Sequence, residues 1–322
     1  MARFLIRRLG YALLLVVLVS SAALLLTRMA PGDVSQQLGP FAPKAEVARV
    51  RAEYDLDRPM LRQWATWMAR SARFDFGNSF LYNRPVSELL GPAGANTAIL
   101  ALVALAIATG LGIPLGIFTG SRRGGVVPAI VRAASLVCLS LPPLLMSLLL
   151  VFIAARTGWV PVGGMSSAGA SALTWSAWFA DVAQHLPLPA LALALPIAAT
   201  FERLQSHSIS ETVHQPFVIT AMARGVTRGD IILRHAWPVS LRPICAVYGL
   251  VIGTLLSGSF VVEYVTAWPG LGRLMFEALR ARDIYLVTGC AAMGGFFLAI
   301  GSIIADLLLA AADPRVRDGS AA

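Results

Sequence analysis

Six long apolar stretches constrain this chain more than any other feature of its sequence. A helix needs roughly 20 apolar residues to cross a hydrocarbon layer about 30 Å thick with its backbone polar groups paired internally. The stretches are residues 9–27, 97–119, 126–155, 186–204, 244–263 and 285–312. With 57% hydrophobic and only 13% charged residues, a chain of 322 residues is also too apolar for one soluble domain. We therefore predict an all-α membrane protein with about six transmembrane helices.

Arginines in the short segments between these stretches predict the orientation of the chain. Arg7 and Arg8 precede the first stretch, and Arg122 lies between the second and the third. The other basic residues that bear on orientation are Arg3, Arg123, Arg224, Arg228, Arg234, Arg242, Arg315 and Arg317. Basic residues in short loops stay on the cytoplasmic side, and six spans place all of these arginines there together with both termini. Orientation also explains the formal charge of +9 better than nucleic-acid binding, because the basic residues form no continuous solvated patch.

The chain divides at its apolar stretches into four parts. Residues 1–30 form a cytoplasmic segment and a first transmembrane helix, which is too long for a signal peptide and is followed by no A-x-A cleavage site. Residues 31–95 are external, residues 96–312 form a five-helix core, and residues 313–322 are a cytoplasmic tail. Apolar residues at helical spacing in the external segment predict an amphipathic helix that lies on the membrane face or against other helices. They are Leu61, Trp64, Ala65, Met68 and Ala72.

Residues 217–244, which we call the finger, are polar and basic although they lie between two apolar stretches. Helical spacing of apolar residues predicts two short helices, one on each side of Gly225. Gly225 stands where the first helix ends, which predicts a left-handed backbone conformation at this glycine. Pro238 is predicted to end the second helix. A helix-turn-helix at a membrane surface is one interpretation, and a solvated loop is the other.

The finger resembles the cytoplasmic EAA coupling loop of ABC importer permeases of the dipeptide, oligopeptide and nickel group. The resemblance is carried by TAMARG at 220–225 and IILRHAWPVSLRPI at 231–244. Ala221, Ala223, Arg224 and Gly225 match as they stand, whereas Ile219 and Met222 occupy positions at which family members often carry basic residues. Further similar motifs are PGD at 31–33, YDLDRP at 54–59, DFGNS at 75–79, AWPGLGR at 267–273, RDIY at 282–285 and ADPRVR at 312–317. The resemblance therefore extends over nearly the whole chain.

The resemblance implies a permease subunit of an ATP-driven importer in a bacterial inner membrane, with the type I importer fold. Such a subunit forms half of a translocation pathway for dipeptides or oligopeptides, and a nickel chelate is the alternative cargo. The implied partners are a second homologous permease, two ATP-binding subunits or domains, an external substrate-binding protein and membrane lipid. The finger would dock in a groove of the ATPase subunit. Its predicted coupling residues are Ala221, Ala223, Arg224, Gly225, Arg228 and Ile232.

The sequence contains no pattern that would make this chain an enzyme. An ATPase of this kind needs G-x-x-x-x-G-K-[ST], and the single lysine, Lys44, has no glycine-rich loop beside it. ATP and magnesium are therefore expected on the partner subunits, and no cofactor is expected here. The histidines form no H-E-x-x-H zinc motif, and the G-x-S-x-G motif of serine hydrolases does not occur. The three cysteines lie in apolar stretches and are predicted to be core residues. Two rival classes remain. An ion-gradient-driven carrier would show internal repeats and buried ionisable groups, and an intramembrane enzyme would show a paired nucleophile or a metal constellation.

Small and hydroxyl residues concentrate in the fifth apolar stretch. Gly249 and Gly253 favour close packing of helices, whereas the hydroxyls of Thr254 and Ser257 suit a wet path. We predict that Thr254 and Ser257 line the translocation pathway.

Two features inside the spans have both a structural and a functional interpretation. Pro142 and Pro143 interrupt the third stretch, as a moving pathway or an ordinary membrane-helix kink would require. Asp306 is an ionisable residue within the last stretch, and it either has a function or pairs with a basic residue near the helix end.

Overall fold

The fold is almost entirely helical. The computed structural model describes residues 2–30, 41–53, 57–122, 124–172 and 174–312. The PGD motif at 31–33, part of YDLDRP and the arginines of the tail lie outside these residues. The helices in chain order are α1 (Ala2–Met29), α2 (Lys44–Glu53), α3 (Met60–Ser71), α4 (Val86–Gly120), α5 (Val126–Ser140), α6 (Pro143–Thr157), α7 (Trp175–His185), α8 (Pro187–Thr212), α9 (Pro216–Ala223), α10 (Arg228–Asp230), α11 (Trp237–Ser240), α12 (Arg242–Gly258), α13 (Phe260–Val265), α14 (Leu271–Arg280) and α15 (Ile284–Ala312). A two-stranded antiparallel hairpin, β1 (Asn78–Ser79) and β2 (Arg84–Pro85), precedes α4.

Five helices in the described part of the chain are long and apolar enough to cross a membrane. They are α1, α4, α8, α12 continued by α13, and α15, and they correspond to five of the predicted stretches. α5 and α6 together supply a sixth span if the pair is counted as one, because they are joined at a bend of 110°. The predicted membrane fold class is therefore confirmed.

The third predicted stretch is two helices rather than one. Leu141 has extended backbone angles, φ −90° and ψ 118°, because a following proline excludes the helical conformation. Pro143 then occupies the first turn of α6, where its missing N–H costs nothing. The predicted interruption at Pro142 and Pro143 is thus confirmed, and it is a bend far larger than a kink.

The second span also begins earlier than predicted, at Val86 instead of residue 97. The residues before position 96 were assigned to the external segment, yet the helix already runs through Gly91, Pro92 and Gly94. Val86 and Leu90 are both buried, so packing outweighs the weak helical propensity of this segment.

One compact unit comprises the described residues within 1–97 and 269–299. In it α3 packs against α1, and the indole Nε1 of Trp64 donates to Ser21 Oγ at 2.8 Å. The predicted amphipathic helix and its placement against other helices are confirmed, but its buried face is different. Trp64, Trp67 and Met68 form that face, whereas Leu61 is 76% exposed.

Within the same unit, a buried carboxylate joins the hairpin to the start of α15. Asp283 is 1% exposed and accepts hydrogen bonds from Ser79 Oγ at 2.6 Å, Leu81 N at 3.0 Å and Leu286 N at 3.1 Å. Tyr82 of the hairpin donates its hydroxyl to Glu277 of α14. Partial burial and this neighbouring carboxylate raise the pKa of Tyr82 to about 12, so the hydroxyl remains a donor at neutral pH. The DFGNS and RDIY motifs thus meet in space.

Replacing Asp283 with alanine is expected to destabilise this unit strongly. The change leaves the buried Ser79 hydroxyl and two backbone N–H groups without their acceptor, at a cost of about 2–3 kcal/mol. Asp57→Ala is the control, because Asp57 is 65% exposed and its ion pair with Arg51 is worth less than about 1 kcal/mol. Thermal unfolding in detergent measures the stability of both purified variants. Equal decreases in unfolding temperature for Asp283→Ala and Asp57→Ala would contradict a structural role for Asp283.

The second compact unit comprises the described residues within 98–268 and 300–312. α8 lies at its centre and contacts α5, α6, α7, α12 and α13. α4 approaches α8 through glycines spaced four residues apart, so that a Cβ on Gly116 would lie 2.6 Å from the Glu202 carbonyl oxygen and one on Gly120 would lie 2.3 Å from that of Ser206. Only residues without a side chain allow backbones to approach this closely.

α12 and α15 contact each other in the same way. A Cβ on Gly249 would lie 1.7 Å from the Cβ of Ala305, and a Cβ on Gly301 would lie 2.8 Å from the Cα of Gly253. The interpretation of Gly249 and Gly253 as close-packing residues is confirmed.

Candidate functional site

The first half of the finger is a short helix that ends in a glycine turn. α9 ends at Ala223, Arg224 leaves the helical conformation, and Gly225 has φ +80°. The Gly225 N–H donates to Met222 O at 3.0 Å, and the Val226 N–H donates to Ala221 O at 3.3 Å. This pair of hydrogen bonds is the Schellman motif, which satisfies carbonyls at the helix end. The left-handed conformation predicted at Gly225 is confirmed.

The second half begins at a capped turn. The Thr227 hydroxyl accepts from the Asp230 N–H at 3.3 Å and donates to Asp230 Oδ2 at 2.7 Å, so this threonine caps α10. Arg228 donates from Nη2 to the carbonyl oxygen of Ser121 at 2.7 Å, which ties the finger to the segment between α4 and α5. The predicted helix-turn-helix is therefore present, and its second helix is anchored.

Pro238 does not end the second helix, contrary to the prediction. Residues Ile231–Ala236 form a π-helix in which the Trp237 N–H donates to Ile232 O, five residues back. α11 follows directly, and Pro238 lies in its first turn. Proline ends an α-helix because it lacks the N–H that bonds four residues back and clashes with that carbonyl. A π-turn changes this register, so the chain continues through α11 toward α12.

The finger presents a mixed apolar and basic surface. Four large apolar side chains are 45–56% exposed, namely Phe217, Ile219, Met222 and Leu233. Of the six predicted coupling residues, four are exposed and two, Ala221 and Ile232, are half-buried. Val218 and Ile231 are buried and hold the finger in place. Several large exposed apolar side chains on a helical segment are typical of an interaction surface and not of a solvated loop.

Beneath the finger, buried polar side chains join it to α8, and α8 to α4. Gln205 Nε2 donates to Ser240 Oγ at 2.7 Å, and both residues are fully buried. One turn earlier on α8, Glu202 is 1% exposed and accepts from Thr119 Oγ1 at 2.5 Å. Glu202 Oε2 and Gln205 Oε1 have no hydrogen-bond partner among the described residues. A displacement of Ser240 at the finger base would therefore pull on Gln205 of α8 through this hydrogen bond.

The sequence prediction missed Glu202. An ionisable residue inside a span that faces other helices is a functional candidate by default, and this signal was present at position 202. Asp306 was singled out instead, and its side chain lies outside the described part of the structure. Glu263 is a second fully buried carboxylate, and it accepts from Ser259 Oγ at 2.6 Å.

The two predicted pathway residues lie on α12. Thr254 is exposed, and its hydroxyl donates to Val251 O at 2.9 Å, as hydroxyls inside membrane helices do. The side chain of Ser257 lies outside the described part of the structure. Thr254 therefore has a free surface that a partner, lipid or cargo would cover.

Comparison with known proteins identifies the family. Residues 112–318 match the model of the binding-protein-dependent transport system inner membrane component, and residues 1–89 match the model of the N-terminal part of such membrane components. The chain belongs to this family. The first match contains the finger together with α5–α14, and the resemblance found in the sequence motifs is confirmed.

Several curated relatives match the permease over its whole length. It is 32% identical over 319 residues to a putative peptide transport system permease protein of Brucella abortus, covering 98% of this chain and 99% of the relative. It is 31% identical over 326 residues to the oligopeptide transport system permease protein OppB of Mycobacterium tuberculosis, and 28% identical over 319 residues to AppB of Bacillus subtilis, with the same coverage.

A solved structure shows the same fold. The inward-facing MetNI methionine ABC transporter matches with a TM-score of 0.51 and 18% sequence identity, covering 71% of this chain and 95% of that chain. At this level of identity the likeness concerns the fold alone.

Proposed function

We propose that this permease is one of two membrane subunits of an ATP-driven importer of dipeptides or oligopeptides. The observation that carries the proposal is the finger, an ordered helix-turn-helix with exposed apolar and basic side chains on a chain of this family. Relatives that align over 98% of the chain are named as peptide or oligopeptide permeases, which favours peptides over a nickel chelate.

The finger couples the permease to an ATPase. Its exposed side chains, with Phe217 and Met222 on the first helix and Leu233 on the second, enter a groove of the ATP-binding subunit. Ala223, Arg224, Gly225 and Arg228 lie at the exposed turn, and Ala221 and Ile232 support it from the half-buried side. Burial of apolar side chains gives the contact its affinity, and the arginines give it orientation.

The assembly that this permease requires has four further members: a second homologous permease, two ATP-binding subunits or domains, and an external substrate-binding protein. ATP and magnesium bind to the ATP-binding members. The finger and both termini face the cytoplasm of a bacterial cell, because Arg7, Arg8, Arg122 and the arginines of the finger all lie at that end of their spans.

Labelling of single cysteines tests this orientation. In a variant that lacks Cys138, Cys245 and Cys290, cysteines at Lys44 and at Arg234 are both expected to be accessible, because both side chains are exposed. An impermeant maleimide added to spheroplasts is expected to label Lys44→Cys and to label Arg234→Cys only after lysis. Labelling of both from the same side would contradict the proposed topology.

A bulky side chain at Thr254 tests the proposed pathway. If Thr254 faces the space between the two permeases, Thr254→Trp is expected to reduce peptide uptake at least about tenfold, since a filled path excludes cargo by size. Thr254→Ser keeps the hydroxyl and is expected to transport normally. Uptake is measured in vesicles that hold equal amounts of assembled complex, and unchanged uptake in Thr254→Trp would place this face against lipid or another helix.

A further inference from the structure

A pocket between α5 and α8 contains cationic side chains to which the transport function assigns no role. The pocket has a volume of about 420 Å³, and it is lined by Arg132 and Leu136 of α5 and by Arg203, Ser206, His207 and Ser210 of α8. The buried Glu202 of α8 also lines it. Because Glu202 is buried and already bonded to Thr119, the groups that reach the open side of the pocket are mainly hydrogen-bond donors.

The two guanidinium groups are unpaired in the described part of the chain. Arg132 and Arg203 are both exposed, and neither makes a hydrogen bond or ion pair with another described residue. Glu211 lies beside His207, whose Nε2 is 3.4 Å from Glu211 Oε1, and pairs with neither arginine. Two guanidinium groups against the one carboxylate of Glu202 leave the lining of the pocket with a net positive charge.

Arg132 lies inside an apolar helix, and Arg203 lies one residue before the end of the apolar stretch 186–204. Arg132 is six residues after the start of α5 and Arg203 is nine residues before the end of α8, which corresponds to about 9 Å and 14 Å along the helices. The nearby exposed side chains of α5 are apolar, with Ile130 61%, Leu136 52% and Val137 59% exposed. An arginine at such a depth and beside such neighbours must reach a polar group or bind an anion.

We propose that this pocket binds the phosphate group of an anionic phospholipid from the leaflet at the finger end of the protein. Arg132 and Arg203 bind the phosphate oxygens in the forked geometry that guanidinium groups favour, and the Ser206 and Ser210 hydroxyls donate to the remaining oxygens. The acyl chains lie along the exposed apolar face of α5. Basic pockets between membrane helices take anionic headgroups in this way.

The bound lipid would contact the connection between the finger and the core. Glu202 lines the pocket and lies one helical turn from Gln205, which donates to Ser240 at the finger base. A headgroup in the pocket therefore holds α5 and α8 together beside the buried polar groups. Lipid composition at this leaflet is expected to affect the complex through this pocket.

Native mass spectrometry of the purified complex tests the proposal. The complex is equilibrated in detergent with equal amounts of phosphatidylglycerol and phosphatidylcholine that carry the same acyl chains. The intact protein is expected to retain phosphatidylglycerol about tenfold or more over phosphatidylcholine, because the two guanidinium groups favour the headgroup with a net negative charge. The Arg132→Gln, Arg203→Gln double variant is expected to lose this preference.

Three controls make the outcome decisive. Arg156→Gln removes an exposed arginine near the opposite end of α6 from its proline bend, and it is expected to keep the preference. The double variant Arg132→Lys, Arg203→Lys keeps the charge and is expected to retain part of the lipid preference. This variant separates a loss of lipid binding from misfolding. Inorganic phosphate or a dipeptide, each added alone in excess, is expected to leave the lipid bound. An unchanged preference in the double glutamine variant, or displacement of the lipid by inorganic phosphate or by the dipeptide, would overturn the proposal.

Discussion

Gly225→Val is expected to abolish ATP-driven uptake while the permease still inserts into the membrane and keeps its second permease subunit. Gly225 has φ +80°, a conformation that costs a residue with a side chain about 1 kcal/mol or more and a β-branched residue more still. Nothing lies within 4 Å of the position its Cβ would take, so this penalty comes from the backbone and not from crowding. The turn would relax and redirect α10, and the exposed surface of the finger would lose its shape.

Gly225→Asn is the matched control, because asparagine tolerates the left-handed conformation far better than valine. It is expected to keep most of the uptake. The readouts are co-purification of the ATP-binding subunits and peptide uptake in vesicles, normalised to the amount of permease. Full uptake and full ATPase association in Gly225→Val would show that residues 217–244 are a solvated loop.

Gly116→Val is expected to prevent accumulation of folded permease. A Cβ at this position would lie 2.6 Å from both the Glu202 carbonyl oxygen and the Gln205 Cβ, so α4 and α8 would have to separate. Overpacking of this kind costs about 1–3 kcal/mol or more, and separation would also remove the hydrogen bond from Thr119 to the buried Glu202. The expected loss is large because the close contact and the buried hydrogen bond disappear together.

Gly110→Val provides the comparison on the same helix. No atom lies within 4 Å of a Cβ at Gly110, so the same substitution is expected to be tolerated there. Membrane-inserted protein and its unfolding temperature in detergent measure the difference. Similar behaviour of the two variants would contradict the close α4–α8 contact.

The sequence predicted the parts of this structure that depend on local chemistry. Twenty apolar residues in a row leave little choice but a spanning helix, and Gly225 after a short amphipathic run predicts a left-handed helix end. The two short helices of the finger were likewise predicted from the local spacing of apolar residues. Each of these signals is complete within a few residues of the chain.

The features that were missed become clear only in the folded chain. Pro238 does not end its helix because a π-turn accommodates it, and the apolar side chains Ile231 and Ala236 of that turn are buried. Glu202 is tolerated in a span because Thr119, more than eighty residues away, donates to it. The pairing of Ser79 with Asp283 likewise follows from the folded chain and not from either motif alone.

Reconstitution of the complete complex in proteoliposomes tests the central proposal most directly. This permease, its partner permease and the ATP-binding subunits are incorporated together, and uptake of a labelled peptide is followed with the external binding protein added. Uptake is expected to require ATP and to disappear when the ATP-binding subunits are omitted, whatever ion gradient is imposed. Uptake by this permease alone, driven by a proton or sodium gradient without ATP, would contradict the assignment.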